Sequence, residues 1–260
     1  LSLHDALPIC HLTSMSDTSG STNWKYDLHG RVVQKSQVTD GITLVTSYAY
    51  DVVTGQLTGL TLPSGRSISY AYSNAKLVSI KRGTSNLLTG ISYAPTGKVK
   101  SWTFGNGQIV VRGFDLNGRM VSDAVTSSII YDANSRIISY TLGNLSLLTG
   151  THSVTYDDLS RVTSHTNGAT YEQFTYDANG NRQSKTLNGV GTAYTIAPGN
   201  NRLTKIGGTT VNNDLNGSRI SYGNRIYNYD SAGRLSAYSL NAQTGSYVYN
   251  GLGQRVKKIS

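Results

Sequence analysis

The chain has 260 residues, with 23 Lys and Arg against 14 Asp and Glu, a formal charge of +9 and an apolar fraction of 37%. Cys10 is the only cysteine, which excludes an internal disulfide framework and any thiolate metal cluster, and no run approaches the roughly twenty apolar residues of a membrane span. Tyr, Thr, Val and Ile are plentiful while Glu172 is the only glutamate, so the composition favours wide sheets over a thick core.

Residues 1–20 match nothing else in the chain and carry no basic, apolar, small-residue signal pattern. Ser2-Leu3-His4-Asp5-Ala6-Leu7-Pro8-Ile9 reads like a translated sequencing-library adapter, so this stretch is expected to be an unassigned, non-native leader. Without an initiator Met, and ending at Ser260 in strand-like sequence, the chain is expected to be a piece of a longer one.

Residues 21–260 read as one continuous array whose unit recurs at about twenty residues. The first copy, Tyr26-Asp27-Leu28-His29-Gly30-Arg31, sets an aromatic residue, an aspartate, two free positions, a glycine and an arginine in that order. The same order returns at Asp115 to Gly118 and Arg119, at Tyr131-Asp132 to Arg136, and at Tyr156-Asp157 to Arg161. It is fullest at Tyr176-Asp177-Ala178-Asn179-Gly180-Asn181-Arg182 and at Tyr229-Asp230-Ser231-Ala232-Gly233-Arg234. Further tips are read at Tyr50, Tyr72, Tyr93, Asn213 and Tyr249, with a weaker unit at residues 194–203. The order predicts the tip of a β-hairpin. Tyr ends the incoming strand, the Asp carboxylate accepts N–H groups of the turn, and Gly takes the left-handed conformation.

Two residues before many tips stands another large residue, as in Trp24/Tyr26, Tyr70/Tyr72 and Tyr227/Tyr229, which puts both on one sheet face. After the tip, apolar residues recur at a spacing of three, as in Leu77 and Ile80 or Leu235 and Tyr238. Three places along a regular strand means opposite faces, so either the strand is covered on both sides or a bulge shifts its phase. A second kind of turn is written at Pro63-Ser64-Gly65, Asn106-Gly107, Asn167-Gly168 and Asn188-Gly189. Ser135 and Ser160 stand where the tip glycine belongs, which demands backbone strain or a different turn. Lys76 and Lys98 replace the tip arginine, so its role is charge or packing rather than bidentate geometry.

The arginines are spread along the array rather than gathered on one track, so nucleic acid is not an expected partner. Most carboxylates hold the tip position, where turn capping accounts for them, while Asp40, Asp123, Asp158 and Glu172 have no partner by spacing. His4, His11, His29, His152 and His165 form no metal-ligand spacing, no Gly-x-Ser-x-Gly elbow is present, and the bidentate Glu of a calcium loop is missing. No catalytic residue, cofactor or metal site is expected.

The tips at Tyr176 and Tyr229, with the phrases Leu62-Pro63-Ser64-Gly65-Arg66, Phe104-Gly105-Asn106-Gly107 and Asn200-Asn201-Arg202-Leu203, resemble the YD repeats of the bacterial RHS family. That resemblance implies an all-β fold of repeated antiparallel β-hairpins in a spiralling sheet, part of a hollow, barrel-like shell. In RHS proteins and the related toxin-complex C components the shell encloses a C-terminal toxin freed by an aspartate-dependent core, and in teneurins a similar barrel serves adhesion. The family's Asp-Pro cleavage segment has no match here, so no catalytic residues carry over. The resemblance implies partners in the same polypeptide (remaining shell, cleavage core and toxin), a secretion-apparatus component, and a secreted or bacterial cell-surface location. The alternative is a surface module that binds glycan or protein through exposed tyrosines.

Overall fold

The computed structural model describes residues 11–143 and 149–260. His4, Cys10 and the adapter-like run lie outside the described residues. Among the described residues there are 26 strands and no helix. The first ten, from Ser14–Asp17 to Ile109–Val111, hydrogen-bond in chain order. Gly113–Phe114 pairs with Met120–Ser122, and the last fourteen, from Thr126–Tyr131 to Arg255–Ile259, again follow chain order. A sheet built this way, with short turns between sequence neighbours, is antiparallel. The fold is therefore all-β and antiparallel, in agreement with the composition and the turn pattern. Part of the segment set apart from the array joins it: Ser14–Asp17 pairs with Gly20–Tyr26 from Ser14↔Asn23 to Asp17↔Gly20.

One irregularity recurs at the tips. Tyr26 pairs with Val32 while Lys25 pairs with Gln34, which leaves Val33 outside the ladder. Val78, Thr163 and Ser236 are passed over in the same way after the tips at Tyr72, Tyr156 and Tyr229. Such a bulge moves the returning strand by one residue and reverses its phase. Leu77 and Ile80 consequently oppose Tyr72 and Tyr70, and Leu235 and Tyr238 oppose Tyr229 and Tyr227. All of them fall on the face that the tyrosines share, so the bulge is the alternative that accounts for the spacing of three. That face is the covered one: along Ser67–Ser73 exposure alternates residue by residue, with Tyr70 and Tyr72 half-buried.

Contacts divide the chain into two compact units. Among the described residues, one comprises 11–93, Ser101–Ile109 and Tyr247–Ile259. Its ends meet: Asp17 Oδ2 accepts the Gly251 N–H at 2.7 Å, and Lys257 pairs with Asp40. The other unit comprises Ala94–Lys100 and Val110–Ser246, and buries Val110, Ile129, Val211 and His152. Among the described residues few side chains are fully covered, so stability rests on half-buried contacts between neighbouring strands rather than on a dense interior.

At the tips the glycines lie in the left-handed region, with φ of 74° at Gly30 and 85° at Gly180. Ser135 and Ser160 adopt it too, each at 62°, so these turns keep their type and carry the strain. Each strained serine has a compensating bond. The Arg119 Nη1 donates to Ser135 Oγ at 2.9 Å and the Arg136 Nη1 to Ser160 Oγ at 3.2 Å. Gly180 has open space where a Cβ would stand, so only φ resists substitution there. Gly180→Val is expected to destabilise the chain by about 1–2 kcal/mol. Gly199, with equal space and no positive φ, is expected to tolerate Ala within about 0.5 kcal/mol. Urea midpoints of the two variants check both values.

Candidate functional site

At the first tip, Asp27 Oδ1 accepts the backbone N–H groups of His29 at 2.9 Å and Arg31 at 3.0 Å, while Oδ2 accepts the Arg31 Nε–H at 2.7 Å. The main chain closes the turn, with Asp27 N–H to the Arg31 carbonyl and Gly30 N–H to the Asp27 carbonyl. Asp115, Asp132, Asp157 and Asp230 hold Arg119, Arg136, Arg161 and Arg234 in the same way, each Nε lying 2.7 Å from Oδ2. Gly118 and Gly233 complete two of these turns by donating to the Asp carbonyl. At Asp177 the displaced arginine has a visible consequence: Asn181 Nδ2 takes its place at 2.9 Å and Arg182 moves one residue on.

These bonds act on the carboxylates. At Asp132, Asp157 and Asp230 the N–H of the following arginine is the largest influence, and it holds the carboxyl below its ordinary range. At Asp27 and Asp115 desolvation pulls upward and is outweighed by the bonds from Arg31 and Arg119.

Arginines of five tips also reach forward. The Arg31 guanidinium lies 4.6 Å over the Tyr50 ring, Arg119 4.5 Å over Tyr131, and Arg136 4.8 Å over Tyr156. Arg161 lies 4.8 Å over Tyr176, and Arg182 4.4 Å over Tyr194. Lys76 and Lys98 take the same seat over Tyr93 and Phe114, at 5.1 and 6.0 Å. A flat seat over a ring accepts either cation, which is the physical basis of the Arg/Lys exchange.

The ring answers backward. Tyr50 Oη donates to the Val32 carbonyl at 3.0 Å, Tyr131 to Met120 at 2.7 Å, Tyr156 to Ile137 at 2.7 Å and Tyr176 to Val162 at 2.8 Å. In each case the acceptor is the residue just after the arginine of the preceding tip. Tyr26 and Tyr229 donate likewise, to Leu12 and Arg219, and at the Asn213 tip the amide does so, to Leu203. In the weaker unit Ile196, not Tyr194, ends the incoming strand, and Ala197 N–H to Arg202 carbonyl closes the turn.

The carboxylates that spacing left alone have partners in space. Asp40 pairs with Lys257, Asp123 caps the turn at Val125 and Thr126, and Glu172 pairs with Lys185 at 2.5 Å and faces His165 at 3.5 Å. His165 in turn meets His152, a contact across strands that no spacing along the chain could signal. Among the described residues no group of three or more His, Cys, Asp or Glu side chains could hold a metal, and no helix could cross a membrane.

A family profile described as Teneurin YD-shell matches residues 122–259. The fold matches a chain in the Photorhabdus luminescens Tc holotoxin pore carrying the TccC3 D651A mutation, with a TM-score of 0.83, 18% identity and 94% of this chain covered. It matches the crystal structure of TcdB2-TccC3 with a TM-score of 0.78, 17% identity and 93% covered. The chain spans only 15% and 16% of those two chains. No curated protein matches the sequence significantly.

The ladder makes energetic statements that can be checked. A double-mutant cycle on Arg161→Ala and Tyr176→Leu is expected to give a coupling of about 0.5–1 kcal/mol, with Arg161→Lys retaining part of it. Depressed carboxyls also set a pH dependence. A group whose folded value is lowered contributes stability above its ordinary value and loses it as pH falls through the folded one. Urea midpoints are therefore expected to fall as pH drops below about 4, and Asp132→Asn to flatten that fall.

Proposed function

Since the chain belongs to the teneurin YD-shell family, we propose that its array is a wall segment of an RHS-type shell enclosing a C-terminal toxic effector, with no catalysis of its own. The observation that carries this reading is the ladder of tips. The residues that recur, Asp, Arg and Tyr, are consumed in joining one hairpin to the next, which is what a wall requires and a catalytic site does not. The partners under this reading are the remaining shell, a cleavage core and the effector, all in the same polypeptide, with a secretion-apparatus component and a secreted or bacterial-surface location. Residues 21–260 are taken as the array. The pairing of Ser14–Asp17 and the bond from Gly251 to Asp17 support moving its start toward residue 11. A module binding glycan through exposed tyrosines receives less support, because the tip rings carry cations from the chain itself and their hydroxyls are bonded to its backbone.

The test uses the full native gene product. A polypeptide C-terminal to the array is expected to resist added protease while the shell is intact and to become digestible once the shell is unfolded. A tail digested as fast as the same tail expressed alone, or no tail at all, overturns the proposal.

A further inference from the structure

Away from the tips, five strands place a connected set of titratable side chains on the covered face of the second unit. Tyr140 lies on Ile137–Leu142, His152 on Gly150–Tyr156, His165 on Val162–Thr166, Glu172 on Tyr171–Tyr176 and Lys185 on Arg182–Leu187. Tyr140 pairs with His152 across the ladder and their rings stack at 4.5 Å, nearly parallel at 8°. His152 Nδ1 and His165 Nε2 are 3.0 Å apart, and the Tyr140 hydroxyl is 3.3 Å from the same His165 nitrogen. His165 Nδ1 faces Glu172, which Lys185 also holds. His152 is only 3% exposed, and its Nε2 is buried with no hydrogen-bond partner.

The proton inventory follows from those contacts. Glu172, ionised and held by Lys185, takes the His165 Nδ1–H, so His165 Nε2 is a bare acceptor. His152 must then donate from Nδ1, which leaves its Nε2 bare as well. Every arrangement that keeps the bond between the imidazoles and adds one proton puts that proton on His152 Nε2, where it is sealed from water and has no acceptor. The alternative is to break the bond. A buried charged donor without an acceptor is costly, whereas an unfolded chain takes the same proton freely. We propose that the His152–His165 pair is an acid-sensitive clasp between Gly150–Tyr156 and Val162–Thr166, shut while it carries no net charge and released when it takes up a proton.

Histidine is the side chain whose ordinary titration lies between about pH 5 and 8. The groups facing the pair do not confuse that window. Bonding to Lys185 holds the Glu172 carboxyl below its usual range, and burial raises the Tyr140 hydroxyl above its own. Lys185 is the remaining charged group, and it faces the pair through its bond to Glu172.

Two measurements test the clasp on the whole chain. Nitrogen-15 NMR at pH 8 is expected to show His152 as the Nδ1–H tautomer with a bare Nε2, and the Nε2–H tautomer would overturn the proposal. Between pH 8 and 5 the unfolding constant is expected to rise about tenfold or more relative to His152→Phe, which keeps the stack and loses both nitrogens. Parallel pH profiles for the two proteins would overturn it, since any contribution of His11 and His29 is common to both. The tautomer measurement needs no variant and decides the matter even where the substitution prevents folding.

Discussion

An aspartate with two oxygens and three donors around it sets the conditions for everything else in the chain. Asp157 takes two backbone N–H groups on one oxygen and the Arg161 Nε–H on the other. The first two bonds fix the turn, and the third fixes the direction in which the guanidinium leaves it. A guanidinium so aimed lies over Tyr176, the aromatic residue of the next tip, whose hydroxyl returns to the carbonyl of Val162. Turn geometry, charge and strand spacing are thus one arrangement seen from three sides. Loss of the carboxylate would remove three bonds from the turn at once, leaving a main-chain closure of the kind seen at Ala197.

That economy matters because the sheet has little else. Buried apolar side chains are few, and many aliphatic residues at the tips, such as Leu28 and Leu116, stand in solvent. Where each unit covers only part of one face, stability is a sum over neighbouring units rather than a property of a common core. The strained serines fit the same logic. Ser135 gives up the freedom of glycine, yet its hydroxyl receives the arginine of the preceding tip, so a local cost is offset by a contact between units.

What could be read from the sequence divides along the same line. The tips were legible because Tyr, Asp, Gly and Arg fall within six or seven residues and each has a conformational reason to be there. The bulge was legible only as one of two alternatives, since a spacing of three states a conflict of phase without saying where the extra residue sits; Val78 resolves it. The forward reach of arginine was not legible, for Arg161 and its ring are fifteen positions apart and nothing local marks them as partners. His152 and His165 are harder still, because their meeting depends on the register of the strands that carry them, which the chain writes only through its turns.

The ladder also has a direction. Cations point toward the later tip and hydroxyls toward the earlier one, so a junction such as that between the Tyr131 and Tyr156 tips is held by one group from each side. A change at one tip therefore touches two junctions in different ways: its carboxylate acts forward through the arginine, and its ring acts backward through the hydroxyl. Where Asn213 replaces tyrosine, the backward bond survives through the amide while the ring, and with it the seat for a cation, is gone. Arg202, with no ring to cover, still donates to the carbonyls of Asp214 and Leu215, as Arg136 and Arg161 donate to those of Asp157 and Asp177 beside their rings. The arginine keeps its destination when its usual target is missing. Two things are left to aim it: that shared carbonyl, and its own turn, where Ala197 N–H to the Arg202 carbonyl closes the backbone and Asn200 Oδ1 accepts the Arg202 N–H in the manner of the aspartates. The tip geometry comes first, and the ring is a target that most units happen to supply.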